Sequence, residues 1–200
     1  MTTITRLEEL NLDDSYTYED YLTWQFDEML ELIKGKVFMC PAPNVNHQRI
    51  STRLTGILYQ AFKHKKCQLF AAPFDVRLYD RKKSIVANKE IYSTVQPDLC
   101  VICDTNKLDT QGCLGAPDWI IEIVSKGNSK RDIQLKYELY QESGVKEYWL
   151  VYPYEECIHQ FVFNEETDNY QLIKMFVNDE IATSFLFPHL EIDLTEVFEN

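Results

Sequence analysis

The seven residues Asp118-Trp119-Ile120-Ile121-Glu122-Ile123-Val124 are apolar on both faces of a strand except at Glu122. In extended conformation Trp119, Ile121 and Ile123 point one way, while Ile120, Glu122 and Val124 point the other. Such a strand belongs inside a sheet covered on both sides. An unpaired carboxylate there costs several kcal/mol or is neutralised, so something must compensate Glu122. Asp98 raises the same difficulty at the head of a second buried run, DLCVIC. Two carboxylates on adjacent buried strands repel unless a cation lies between them, and a hard, oxygen-seeking ion such as Mg²⁺ suits that place.

The surrounding pattern supplies the sheet and its cover. Thr17 can cap a short helix through about Trp24, and Glu31–Cys40 reads as a hairpin turning at Lys34-Gly35 and stopped by Pro41 and Pro43. A long amphipathic helix spans roughly Val45 to Lys65 behind Asn44, with Ile50, Leu54, Ile57, Leu58 and Ala61 on one side. Strands follow at Gln68–Ala72, Asp75–Tyr79, Pro97–Cys103 and Asp118–Val124, with residues 80–90 and the segment containing Gly112 and Gly115 read as loops. A second helix runs from about Ser129 to Ser143, where Gly144 ends it, and Lys146–Tyr152 is a strand stopped by Pro153. Residues 155–187 suggest two or three antiparallel strands before a short acidic turn. The order implies α/β architecture, a mixed central sheet flanked by helices. The chain is read as one domain over 1–200, with a core at about 17–153 and a C-terminal strand extension over 154–200.

The second helix carries a further oddity. At about 100° per residue, Asp132 and Lys136 fall inside the arc formed by Ile133, Leu135, Tyr137, Leu139 and Tyr140, facing the strand of Glu122. One reading is an i,i+4 ion pair at the edge of the core. The other is a lysine aimed at a metal-bound phosphate. Two acids and a lysine converging on one point suit metal-assisted hydrolysis of a phosphodiester, in which the lysine stabilises charge in the transition state or helps prepare a water. No covalent nucleophile motif such as GxSxG is present.

Charge and cysteines limit the partners. The net charge is −12, but the acids concentrate at the ends: residues 1–31 hold nine acids and one base, and residues 155–200 hold eleven and one. The middle, 32–154, has 18 bases against 12 acids, clustered at Lys63-His64-Lys65-Lys66, Arg81-Lys82-Lys83 and Lys126 with Lys130-Arg131. That face is compatible with phosphate backbones, although on charge alone an ordinary solvated surface with acidic ends is the favoured reading. Cys100 and Cys103 form a CxxC, yet on a strand they face opposite ways, so buried thiols in a reducing compartment are expected rather than zinc. No apolar run reaches the roughly 18 residues of a membrane span, and the start lacks signal-peptide character, so a cytoplasmic protein is expected.

The segments ELIKGKV, PAPNVNHQRI, VQPDLCVICD, GAPDWIIEIVS and DIQLKYELYQESGVKEYWLVYP resemble the Uma-type restriction endonuclease family of the PD-(D/E)XK restriction-endonuclease-like superfamily, over roughly residues 17–200. The resemblance implies an α-β-β-β-α-β core and Mg²⁺-dependent nuclease chemistry, with Mn²⁺ as a substitute. It places the motif acids at Asp98 and Glu122, and it moves the usual lysine from position 124, which is Val124 here, to Lys136 on the following helix. It also draws attention to Glu31, as an outer metal ligand or the partner that orients Lys136, and to His47. A surface acid is the alternative for Glu31, and a satisfied core histidine is the favoured reading of His47. The chain departs from the family pattern at Lys126, where proline is common, and at Tyr152, where aspartate is common.

The expectation is therefore a metal-dependent DNA endonuclease using Asp98, Glu122 and Lys136, acting as a homodimer. The competing reading is a nuclease-fold module that has lost catalysis and serves regulation or protein interaction.

Overall fold

The computed structural model describes residues 3–40, 42–83, 87–125 and 130–199, with Arg131 described by its backbone alone. Pro41, Lys126, Ser129 and the Arg131 side chain, all used in the sequence reading, lie outside the described residues.

Thr17 opens α1 (Tyr18–Tyr21) with a reciprocal capping box to Asp20. β1 (Leu30–Ile33) and β2 (Lys36–Met39) pair antiparallel with Ile33 opposite Lys36. The two turn residues Lys34 and Gly35 have φ of 52° and 80°, the handedness a tight hairpin requires. Asn44 then caps α2 (Val45–Phe62) by accepting from His47 N, and the helix buries Ile50, Leu54, Leu58 and Phe62.

After α2 come β3 (Gln68–Ala71), β4 (Val76–Leu78), β5 (Ser93–Val95), β6 (Leu99–Ile102), β7 (Leu108–Asp109), β8 (Gly112–Leu114) and β9 (Trp119–Ile123). α3 (Lys130–Ser143) crosses over to β10 (Glu147–Tyr152). β11 (Cys157–Asn164), β12 (Asn169–Val177), β13 (Ile181–Thr183), β14 (Glu191–Asp193) and α4 (Leu194–Phe198) complete the chain.

The strands divide between two sheets. The central sheet has the order β12-β11-β10-β9-β6-β3, and the β9-α3-β10 crossover makes its one parallel pair among the described residues. The second sheet has the order β2-β1-β5-β4-β8-β7. β5, β7 and β8 lie in stretches without a strand signal, because segments of two or three residues have no periodicity to read. Pairing holds them: β5 lies between β1 and β4, β8 pairs with β4, and β7 with β8.

The alternation along β9 divides two cores. Trp119, Ile121 and Ile123 pack with Trp149 and with Ile50, Leu54 and Leu58 of α2 on one face. Ile120 packs with Tyr148, with Leu139 and Tyr140 of α3, and with Val76 and Val95 of the second sheet on the other. Cys100 falls on that second face, whereas Cys103 packs against the first. One cysteine expectation is overturned: Cys103 is joined to Cys67 as a disulfide. β3 and β6 place Gln68 opposite Ile102, so the next residues outward meet across the ladder.

Glu147 is a second buried acid on the central sheet, fully enclosed at 0% exposure. Its oxygens accept from Trp149 Nε1 at 2.7 Å, Gln160 Nε2 at 2.8 Å, Ser184 Oγ at 2.7 Å, Phe185 N at 3.0 Å and Leu186 N at 2.9 Å. Five donors replace the lost hydration of the carboxylate and tie the chain after β13 to the sheet.

Candidate active site

The β6–β9 ladder pairs Leu99 with Ile121, so one further step sets Asp98 opposite Glu122. Asp98 is anchored from two sides. Ile123 N donates to its Oδ2 at 2.7 Å, and His47 Nε2 in the first turn of α2 lies 3.2 Å away. His47 is buried, as a core histidine would be, but it stands in the wall of a cavity. Its carboxylate partner raises its pKa: burial works to lower it, and the hydrogen bond and charge of Asp98 outweigh that.

Glu122 and Lys136 meet beneath α3. Lys136 Nζ donates to Glu122 Oε1 at 3.0 Å and to Glu31 Oε1 at 2.9 Å. Tyr140, one helical turn on, donates to the same Glu122 oxygen at 2.5 Å. Two donors on Oε1 fix the carboxyl rotamer. Glu31 Oε1 also accepts from Gln96 N at 2.8 Å, and Gln96 Nε2 donates onward to Asp75 Oδ1 at 2.8 Å. The β1 acid is thus buried and oriented, not a surface strand acid.

The electrostatics follow from burial. Desolvation pushes Glu122 up to about 7; Lys136 opposes this, and the charges of Asp98 and Glu31 add to it. Burial disfavours the Lys136 ammonium, but Glu122 and Glu31 more than offset that and hold its pKa above the ordinary lysine value. Lys136 therefore keeps its proton. Cys40 faces the same cavity, where burial and the Glu31 charge push its thiol up to about 12, so it does not supply a thiolate there.

Glu31, His47, Asp98, Glu122 and Lys136 all open on one cavity of about 490 Å³ between α2, α3 and β1. A larger cavity of about 590 Å³ lies at the other end of α3 with none of these five groups, so chemistry rather than size selects the site. Among the described residues no set of three or more His, Cys, Asp or Glu side chains is arranged to hold a metal ion. A closed cage of the structural-zinc kind is therefore not built among them. Asp98 and Glu122 both line the open cavity, and two carboxylates with room for waters and a phosphate are a donor set of the kind that Mg²⁺ takes.

Of the residues missed in the sequence, Tyr140 had a usable signal, since it follows Lys136 by four on the same face. Gln96 and Cys40 had none, because the second sheet and the hairpin bring them in.

The fold is α/β with two mixed sheets, and Glu31, Asp98 and Glu122 gather with Lys136 on one cavity beneath α3. A crystal structure described as a "putative nuclease belonging to DUF820" from Anabaena variabilis matches the chain in fold, with TM-score 0.72 at 19% identity, covering 92% of this chain and 97% of that one. The chain belongs to the Uma2 family, described as "Putative restriction endonuclease", whose model matches residues 18–195. None of the curated proteins matches the sequence.

Proposed function

We propose that this chain is a Mg²⁺-dependent endonuclease that hydrolyses DNA phosphodiester bonds. The observation that carries this reading is the Lys136 ammonium, held 2.9 Å from Glu31 and 3.0 Å from Glu122 in the wall of the cavity that also receives Asp98. Asp98 and Glu122 are the residues that would hold Mg²⁺, or Mn²⁺ in its place. When bound, the ion lowers the pKa of a water and neutralises charge on the phosphoryl oxygens.

The chain's own groups do the rest. Lys136, kept protonated by its two carboxylate partners, offers positive charge to the phosphoryl group as negative charge develops. Glu31 aims the ammonium, and Tyr140 holds the Glu122 carboxyl in one rotamer. His47 and Ile123 N fix Asp98. The basic middle of the sequence supplies the attraction for DNA, and a homodimer gives one site for each strand.

A second reading has one observation in its favour. The ammonium of Lys136 already compensates the buried carboxylates, so the cluster is stable as a purely structural ion network, and a silent interaction module would have the same geometry. Plasmid nicking separates the two. The purified protein should nick supercoiled DNA with Mg²⁺ or Mn²⁺, and Asp98→Ala and Lys136→Ala should abolish it. Wild-type protein that neither nicks DNA nor shows a metal-dependent rise in melting temperature would leave only the module.

A further inference from the structure

Although the chain carries a net charge of −12, it gathers four cationic side chains, Arg81, Lys83, Lys107 and Lys146, around one cavity of about 270 Å³ with a single acid, Glu165. The cavity lies at the C-terminal end of α3 and adjoins the cavity of about 590 Å³ there, sharing Tyr79, Arg81, Lys83, Ser143 and Phe163 with it. Of the four acids that line the larger cavity, Glu142 pairs with Lys34 and Asp168 with Arg81 and Lys82, while Asp80 accepts from Lys82 N and Glu90 from Ala87 N. In the smaller one Lys146 reaches Asp118, Lys107 donates to Ala116 O, and Lys83 has no side-chain partner among the described residues.

Ser143 marks the boundary between the two cavities. The residue is only 6% exposed, and its Oγ has no hydrogen-bond partner among the described residues. A buried hydroxyl without an acceptor is costly, and a ligand oxygen would satisfy it. The end of a helix ordinarily repels anions through its free carbonyls. Here they are capped: Val145 N donates to Tyr140 O, Gly144 N to Gln141 O and Arg81 N to Glu142 O. The larger cavity adds flat apolar surface, with Tyr79, Tyr92 and Phe163 in its lining and the Arg81 guanidinium 4.9 Å over the Phe163 ring.

We propose that these paired cavities bind a nucleoside phosphate, with the phosphate among Arg81, Lys83, Lys107 and Lys146 beside Ser143 Oγ and the base against Tyr79, Tyr92 and Phe163. Stacking on an aromatic face and charge on the phosphate are the two terms by which such ligands are held. The site is separate from the catalytic cavity: Ser143 follows Lys136 by seven residues, about 10 Å along the helix. The same chemistry arrives from a free nucleotide or from the phosphorylated end of a DNA strand.

Calorimetric titration of the wild-type protein in EDTA tests this without relying on catalysis. The probes are AMP, adenosine, inorganic phosphate, and a tetrathymidylate with and without a 5′-phosphate. AMP or the phosphorylated oligonucleotide should bind at least about tenfold more tightly than adenosine, phosphate or the unphosphorylated oligonucleotide. Ser143→Ala and Lys83→Ala should each weaken that binding about tenfold, and neither should lower the melting temperature of the chain. AMP alone binding assigns the site to a free nucleotide; the oligonucleotide matching AMP assigns it to strand ends. Absence of binding by every probe, or binding untouched by both substitutions, overturns the proposal. Because the readout is binding in the absence of divalent metal, the result is independent of whether the chain is a nuclease.

Discussion

Glu31 and Lys136, 105 residues apart in sequence, meet through a 2.9 Å hydrogen bond between a hairpin strand and the crossover helix. The contact makes a carboxylate of the second sheet the support for an ammonium that also reaches the central sheet. It joins the two sheets where Glu31, Asp98, Glu122 and Lys136 gather on one cavity.

Glu31→Gln should therefore lower nicking less than Lys136→Met does. Loss of the cation removes its charge from the transition state, about a 10²–10³-fold fall in rate. Loss of the Glu31 charge leaves Lys136 in place beside Glu122 and should cost roughly tenfold, read from initial rates of supercoiled plasmid loss.

Tyr140→Phe removes one of the two donors on Glu122 Oε1 with almost no change in volume. The fold should survive with a loss of about 1–2 kcal/mol in denaturant melts. The expected signature is a raised Mg²⁺ requirement for nicking, partly overcome at high metal concentration. An unchanged metal dependence would remove Tyr140 from the site's support.

Stability of the metal-free protein should depend on pH through Glu122. Its folded pKa, about 7, lies above the ordinary 4.5, so burial disfavours the charged form. Below the ordinary value it is protonated in both states and contributes no pH dependence. Between the two values the unfolded chain gives up the proton first, so stability falls as pH rises, and the whole penalty is present above the folded value. Glu122→Gln should then melt higher than wild type at pH 8 in EDTA, by on the order of 1–3 kcal/mol, with the gap closing toward pH 4.

Glu147→Ala should be among the most damaging single changes. It deletes the acceptor of five donors inside the core and leaves them buried. A loss of about 3–5 kcal/mol is expected in equilibrium unfolding. Glu147→Gln, which keeps one oxygen acceptor, should recover part of it.

Local pattern carried much of this protein. The two-faced apolarity of residues 118–124, the wheel that put Lys136 under α3, the caps at Thr17 and Asn44 and the turn at Lys34-Gly35 all rest on geometry repeating within a few residues, which a sequence displays directly. The acids were conspicuous for the same reason, because a carboxylate breaks an apolar run. What the chain's order could not carry was pairing across distance. Its strands divide into two sheets, β5, β7 and β8 are too short to announce themselves, and Cys67 faces Cys103 only through the β3–β6 register. Tertiary packing decided between the roles open to Glu31, making it the partner of Lys136, and made Glu147 an enclosed anion, for one physical reason: the groups that make a buried charge tolerable come from distant segments, and only packing brings them within hydrogen-bonding reach.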